Sequence, residues 1–104
     1  MESPPKLSHT GAMILQAVDA GNPYGLSIMD ITGLPSGTVY PALRRLERDR
    51  LVISRWESGK AAEKEGRPPR KYYRPTALGE AALVVSRKRY PHLSGLFTKS
   101  EAVK

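Results

Sequence analysis

Apolar residues first recur at helical spacing near the start of the chain. They are Ile14, Leu15, Ala17 and Val18. The pattern predicts a mostly buried helix over residues 10–20, which Thr10 can cap and Gly21 can end.

Two more helices are predicted before residue 50. Asn22-Pro23 is typical of an N-cap followed by proline in the first turn, and Gly33 interrupts the apolar pattern that follows. Ser36 can cap a third helix that runs to about Asp49. The expected unit is two short helices and a longer one, joined by tight turns.

The third predicted helix is amphipathic. At 100° per residue, Val39, Leu43 and Leu46 fall on one stripe, which we expect to face the core. The opposite side holds Gly37, Thr38, Pro41, Arg44, Arg45 and Arg48, with Tyr40 on the flank. We also expect Arg50 to occupy the left-handed position that ends this helix.

A change to β-branched and aromatic residues predicts a hairpin from residues 51–56 and 70–74. Its connection, residues 57–69, is polar and rich in glycine and proline, which predicts a long loop with a mobile tip. Tyr72 and Tyr73 must point to opposite faces, so at least one is a core residue. Trp56 is expected to cover the core.

A last helix is predicted from the cap Thr76 to about Arg89, before Pro91. Its apolar residues occupy more than one face, which suggests contact with a second copy of the chain. The residues predicted at this dimer interface are Ala81, Val84 and Val85, with Ile14 and Leu15 of the first helix.

The order of elements predicts a mainly α fold with a small β-hairpin, a winged helix-turn-helix. We divide it into a flexible leader (1–9), the winged helix-turn-helix (10–75), a dimerisation helix (76–90) and a tail (91–104). In this fold the third helix can enter a DNA major groove, about 12 Å wide, and the hairpin loop becomes the wing.

Charge is unevenly distributed along the chain. The net charge is +7, and residues 44–74 hold eleven Lys and Arg against five Asp and Glu, whereas residues 1–43 hold one against three. A basic middle segment is expected of a surface that meets a polyanion, although a solvated charged face is the plainer interpretation.

Several functional classes receive no support from the sequence. Cysteine is absent, and His9 and His92 lie in opposite terminal segments, so no metal, cofactor or disulfide is expected. Glu57, Glu63 and Glu65 lie in a polar loop beside lysines, where nothing would raise their pKa values as acid catalysis requires. No enzyme is therefore expected. No apolar run could span a membrane and no secretory signal is evident, so we expect a cytoplasmic, nucleoid-associated protein.

Several segments resemble the PadR-like family of transcriptional regulators. They are the third-helix sequence SGTVYPALRRLE (36–47), Leu51-Val52, GRPPRKYY (66–73) and TALG (76–79), within a resemblance that covers roughly residues 10–90. Tyr24-Gly25-Leu26 also matches, except that Leu26 stands where the family usually has an aromatic residue.

The resemblance implies a homodimeric repressor whose third helix contacts operator DNA and whose wing grips the DNA backbone. Carried over by position, Ser36, Thr38, Tyr40 and Pro41 would lie nearest the bases, and Arg44, Arg45, Arg67, Arg70 and Lys71 nearest the phosphates, with Arg48 on the same face. Family members often respond to small aromatic compounds, but we find no ligand site here and leave any small-molecule effector open.

Two alternatives to DNA binding stay open. The winged helix could be a protein interaction module that does not bind DNA specifically, because a fold does not determine a function. The second alternative, binding of structured RNA, has less support, since no stacking platform or RNA motif is apparent.

Overall fold

The computed structural model describes residues 3–97. Within them, helices precede and follow a two-stranded antiparallel sheet, as the sequence predicts. In chain order the elements are α1 (His9–Asp19), α2 (Gly25–Thr32), α3 (Ser36–Arg48), β1 (Val52–Trp56), α4 (Gly59–Lys64), β2 (Lys71–Pro75), α5 (Ala77–Arg89) and the 3-10 turn Pro91–Gly95.

Helix α1 lies at the centre of the fold. Ile14 and Leu15 have no accessible surface, and they share one core with Leu43 of α3 and Leu83 of α5. The prediction that Ile14 and Leu15 contact a second copy of the chain is therefore wrong, because the chain's own helices and sheet already cover both side chains.

The start of α1 differs from the prediction. The Ser8 hydroxyl accepts a hydrogen bond from the Gly11 N–H at 3.0 Å, so Ser8, and not Thr10, caps the helix. Leu7 packs against the core. The ordered fold therefore begins inside the segment that we predicted to be a flexible leader.

The start of α2 also differs. Asn22 and Pro23 precede the helix, which begins at Gly25, because both have other partners. The Asn22 side-chain amide donates to the Ala17 carbonyl at 3.1 Å, and the Pro23 carbonyl accepts from the Tyr73 N–H at 2.7 Å. The segment between α1 and α2 thus pairs with strand β2.

Strands β1 and β2 pair in register, with Ser54 opposite Tyr73 and Trp56 opposite Lys71. Tyr73 is buried and Tyr72 is half-buried, in agreement with the predicted alternation of faces. Trp56 is 64% exposed, so the expectation that it covers the core is wrong. It lies at the end of β1, beyond the last core residue of the strand.

The connection between the strands is not the irregular loop that we predicted. It contains α4, whose N-cap Ser58 accepts a hydrogen bond from the Ala61 N–H at 3.1 Å. Ala62 is buried, which fixes this turn of helix on the wing. Because glycine and proline occur near both ends of the connection, the sequence pattern did not indicate the short helix between them.

An ion pair closes the base of the wing. Arg67 donates two hydrogen bonds to the Glu57 carboxylate, at 2.6 and 2.9 Å. The same carboxylate accepts from the Arg70 N–H at 3.1 Å and from the Tyr72 hydroxyl at 3.3 Å. These donors, Arg67 above all, lower the pKa of Glu57 to about 2 against the opposing effect of burial.

The end of α3 is linked to the start of α5. Arg50 adopts a φ of 65°, which confirms the predicted left-handed position. Its carbonyl accepts a hydrogen bond from the Thr76 hydroxyl at 2.7 Å, and Thr76 also caps α5 by accepting from the Gly79 N–H. A Cβ at Gly79 would overlap the Leu51 carbonyl, so α5 approaches this turn closely.

The segment after α5 folds back on α1. Leu93 is fully buried, and the Gln16 side-chain amide donates to the Leu96 carbonyl at 3.3 Å. Arg87 of α5 donates to the Gln16 side-chain oxygen at 2.9 Å and to Asp19 at 3.3 Å. Residues 91–97 of the predicted tail thus belong to the fold, and residues 98–104 lie outside the described residues.

Replacing Arg50 with glycine is expected to stabilise the fold. Glycine removes the cost of the left-handed backbone, so the free energy of unfolding should rise by about 1 kcal/mol and the melting temperature by about 4 °C. Thermal unfolding followed by circular dichroism measures the change. Arg44→Gly, at an exposed position inside α3, is the control and should lower stability by about 1 kcal/mol. A clear drop for Arg50→Gly would refute the assigned helix end.

Replacing Glu57 with glutamine is expected to lower the melting temperature at neutral pH. Because the pKa of Glu57 is depressed in the folded chain, its carboxylate contributes fully above about pH 4.5, and the contribution is lost as the pH falls towards 2. The difference in melting temperature between the two proteins should narrow over that range. Glu63→Gln, at an exposed position on α4, should show no such pattern. A Glu57→Gln difference that is constant from pH 7 to pH 2 would contradict the ion pair.

Candidate nucleic-acid interface

The orientation of α3 follows from its buried stripe. Val39, Leu43 and Leu46 are at most 3% exposed, and the opposite side of the helix faces outward with exposed Arg44 and Arg45. The predicted amphipathic pattern is confirmed. Ala42, which lies next to this stripe, is also buried.

The turn between α2 and α3 determines how α3 is oriented relative to α2. Gly33 has a φ of 75°, which favours glycine, and its N–H donates to the Met29 carbonyl at 2.8 Å. Leu34 packs against the core, and the Pro35 carbonyl accepts from the Thr38 N–H at 2.9 Å. Pro35, and not Ser36, is therefore the N-cap residue, and Ser36 is the first residue of the helix.

The first turns of α3 present the side chains that we predicted nearest to the bases. Ser36 is exposed, Thr38 and Pro41 are half-buried, and Tyr40 is 38% exposed. The Tyr40 hydroxyl packs so closely on Gly25 that a Cβ there would overlap it. Glycine at the start of α2 therefore allows Tyr40 to lie between α2 and the outward face of α3.

The arginines of α3 differ in how they are paired. Within residues 3–97, Arg44 and Arg45 form no salt bridge, whereas Arg48 contacts Asp49 at 3.0 Å. This last pair is open to solvent, and exposed pairs of this kind are weak. Together with Pro41, the three arginines line a shallow groove along the helix of about 450 Å³. The groove is cationic and open on one side.

The predicted wing cations are more constrained than the sequence suggested. Arg67, which was predicted to contact phosphates, is paired with Glu57, and its side chain is 23% exposed. Arg70 lies 4.1 Å above the Tyr24 ring centre, and Lys71 is 3.5 Å from a Glu47 carboxylate oxygen. These two cations connect the wing to α2 and α3 while remaining partly exposed.

Four exposed cations near the sheet and wing were not in the predicted site. Lys60 and Lys64 lie on α4, and Arg55 and Arg74 lie on the face of the hairpin that points away from α3. The lysines could have been found from the sequence, because Ser58 precedes a run of good helix formers. The arginines follow from strand alternation once the register is known.

The middle of the outward face of α5 is apolar, between exposed Glu80 on one side and exposed Lys88 and Arg89 on the other. Val84 is 52% exposed, Val85 is 40% exposed, and Ala81 is also exposed. These are the three residues of α5 that we predicted at a dimer interface. Isolated exposed apolar side chains are common, but three on one helix within two turns form a continuous patch.

The two histidines meet, although they are distant in sequence. Their Nε2 atoms lie 3.0 Å apart, and the His9 ring also packs edge-on against Tyr90. This contact joins the start of α1 to the 3-10 turn. No group of three or more residues suited to a metal ion occurs in the part of the chain that the structure describes, nor does a helix there have the length and apolar character to cross a membrane.

Comparison with known proteins agrees with this architecture. The model of the transcriptional regulator PadR-like family matches residues 14–85. A PadR-like transcription factor from Bacteroides fragilis is 27% identical, with 82% of each chain covered and a TM-score of 0.65. A Streptococcus mutans protein is 25% identical, with 86% of this chain and 85% of that chain covered and a TM-score of 0.66.

A PadR family transcription regulator from Clostridium difficile shares the fold at 22% identity, with 85% of this chain and 93% of that chain covered and a TM-score of 0.70. The comparison with curated proteins finds no match. The family model spans more than half of the chain and includes α3 and the wing. The chain therefore belongs to the PadR-like family of transcriptional regulators.

Proposed function

We propose that this protein is a dimeric repressor that binds a pseudo-palindromic DNA operator through α3 and the wing, in the cytoplasm, at the nucleoid. The observation that carries the proposal is the outward face of α3, where Arg44 and Arg45 are exposed and lack an acidic partner within residues 3–97. Unpaired arginines on one helix face can bind the phosphates of a DNA backbone. Each phosphate that they neutralise releases a bound counterion, which favours binding.

In this proposal, α3 enters the major groove. Its first turns carry the short or flat side chains Ser36, Thr38, Tyr40 and Pro41, which can approach base edges without a long flexible arm. Arg44, Arg45 and Arg48 follow further along the same face, within reach of the phosphates that border the groove. Base contacts from the first set would give sequence preference, and phosphate contacts from the second would fix position.

The wing supplies a second point of attachment. Arg70 and Lys71 lie at its base, and Lys60 and Lys64 of α4 extend the positive charge towards its tip. Arg67 acts indirectly in this proposal, because its ion pair with Glu57 holds the two ends of the wing together.

The proposed dimer forms through α5. Val84 and Val85 are large apolar side chains left exposed by a helix whose other side packs on the core, and Ala81 would let a second helix approach closely. A two-fold dimer would place two α3 helices about 34 Å apart, one turn of DNA. No small-molecule effector is included in the proposal.

Binding alone accounts for this function, without catalysis. The carboxylate of the wing with the most hydrogen-bond donors, Glu57, has a lowered pKa, whereas a general acid at neutral pH needs a raised one. Selection of bound duplexes from a random pool tests the proposal as a whole. A pseudo-palindromic consensus would support it, and failure to enrich any duplex at about 150 mM salt would favour a protein interaction module.

Removing a single α3 arginine should weaken binding to every duplex. We expect Arg44→Ala or Arg45→Ala to reduce the steepness of the salt dependence by about one unit, for the selected operator and for random DNA alike. Thr38→Ala should instead reduce the difference in binding affinity between the operator and random DNA. Fluorescence anisotropy titrations at several salt concentrations measure both effects.

Arg74→Ala is the matched control, because it removes an exposed positive charge from the hairpin face that points away from α3. It should leave the salt dependence close to that of the unaltered protein. If Arg44→Ala and Arg45→Ala bind both duplexes as the unaltered protein does, α3 is not the docking face.

A charge placed on the α5 patch should separate the subunits. We expect Val84→Glu to convert a dimer into a monomer at micromolar concentration, because a buried carboxylate without a partner is costly. Light scattering measures the mass. Ile53→Glu, at a similarly exposed apolar position on the hairpin, should remain dimeric. An unaltered protein that is monomeric at that concentration would contradict the proposed assembly.

A further inference from the structure

Three large apolar side chains remain exposed beside one another at the junction of α2, α3 and the wing. Leu26 is 56% exposed, Tyr40 is 38% exposed and Trp56 is 64% exposed. They line a cleft of about 200 Å³, whose wing side is formed by Pro69, Arg70 and Lys71. We refer to this feature, defined by these six residues, as the α3–wing cleft.

The walls of the α3–wing cleft are held in place by the fold. The Tyr40 hydroxyl packs on Gly25, which fixes the ring on the helical side. Trp56 is paired across the sheet with Lys71, whose ammonium group lies 5.8 Å from the Trp56 ring centre and 3.5 Å from a Glu47 carboxylate oxygen. A tryptophan positioned in this way, yet left largely in solvent, is available to a partner.

The chemistry of the cleft combines apolar walls with positive charge. Arg70 and Lys71 lie on its wing side, and no Asp or Glu is among the residues that line it. Deoxyribose offers a small apolar surface with a phosphate on either side. An aromatic wall beside two cations complements that unit better than it complements a purely apolar or a purely anionic ligand.

The cleft is continuous with the proposed DNA-binding face. Tyr40 belongs both to the cleft and to the first turns of α3, and Lys71 belongs both to the cleft and to the wing. A DNA strand that borders the major groove occupied by α3 would pass between these two residues. The cleft therefore lies beside the side chains proposed to contact bases, where the sugar–phosphate backbone should run.

We propose that the α3–wing cleft binds the sugar–phosphate backbone of duplex DNA, with Trp56 packed on a deoxyribose and with Arg70 and Lys71 on the adjoining phosphates. The inference rests on the proposed DNA-binding function and adds an apolar contact to it. Trp56 acts as a positioning residue: it fixes where the strand lies against α3 without distinguishing one base from another.

Tryptophan fluorescence provides a direct test, because Trp56 is the one tryptophan in the sequence. Titration of the full chain with unlabelled duplex should shift or quench its emission in parallel with binding measured by anisotropy. The change should occur with the selected operator and with a random duplex, since the backbone is common to both.

Variants separate the apolar contact from the charges around it. Trp56→Ala should weaken binding to both duplexes about tenfold, as expected when roughly 60 Å² of apolar contact is lost. Its salt dependence should equal that of the unaltered protein, because no counterion release is removed, whereas Lys71→Ala should reduce the salt dependence by about one unit. Trp56→Phe should restore most of the affinity.

Ile53→Ala is the matched control, since Ile53 is 44% exposed on the other face of the hairpin. It should leave affinity unchanged, and neither Trp56→Ala nor Ile53→Ala should lower the melting temperature appreciably, because both side chains are exposed. DNA binding with unchanged Trp56 emission and full affinity of Trp56→Ala would overturn the inference while leaving the proposed function intact. A loss confined to the operator would overturn it in favour of a base contact, and an unaltered chain that binds no duplex would defeat both.

Discussion

The burial of Val39, Leu43 and Leu46 against the core determines how α3 is rotated about its own axis, and the proposed interface depends on that rotation. Exposing the three side chains would cost roughly 6 kcal/mol. Turning the helix by half a revolution would also bury Arg44 and Arg45, for which the core offers no partner. Apolar burial and charge solvation thus favour the same orientation, and the basic face points outward as a consequence.

The rest of the fold fixes where this face sits. Helix α1 packs against α3, α5 and strand β2. A change in the packing of α1 would therefore shift all three elements together. The ion pair of Glu57 with Arg67 holds the two ends of the wing together. The stacking of Arg70 on Tyr24 and the pairing of Lys71 with Glu47 position the wing against the helices. Residues at the wing base therefore connect the hairpin to the helices as well as carrying charge.

Apart from α4, the sequence predicted the order of the helices and strands, and it also predicted the outward face of α3 and the left-handed Arg50, because helical and strand periodicity and the end of a helix are local properties. It failed where long-range partners override local preference. Asn22 and Pro23 are a good helix start by themselves, yet they hydrogen-bond to α1 and β2. Ile14 and Leu15 are apolar whether they face a partner or the chain's own core. Arg67 could not be separated from the other wing cations until the structure placed it on Glu57. The exposure of Trp56 likewise depends on where β1 ends relative to the core.

Chemical-shift mapping with isotopically labelled protein tests the central claim most directly. Addition of a short duplex at low salt should perturb the backbone amides of α3 from Ser36 to Arg48, together with those of the wing, because the proposal places the DNA contacts on these two segments. The amides on the outward face of α5 should change little beyond any effect of dimerisation. Perturbations concentrated on α5 or on the outer face of the hairpin, with α3 unaffected, would contradict the assignment of α3 as the DNA-binding surface.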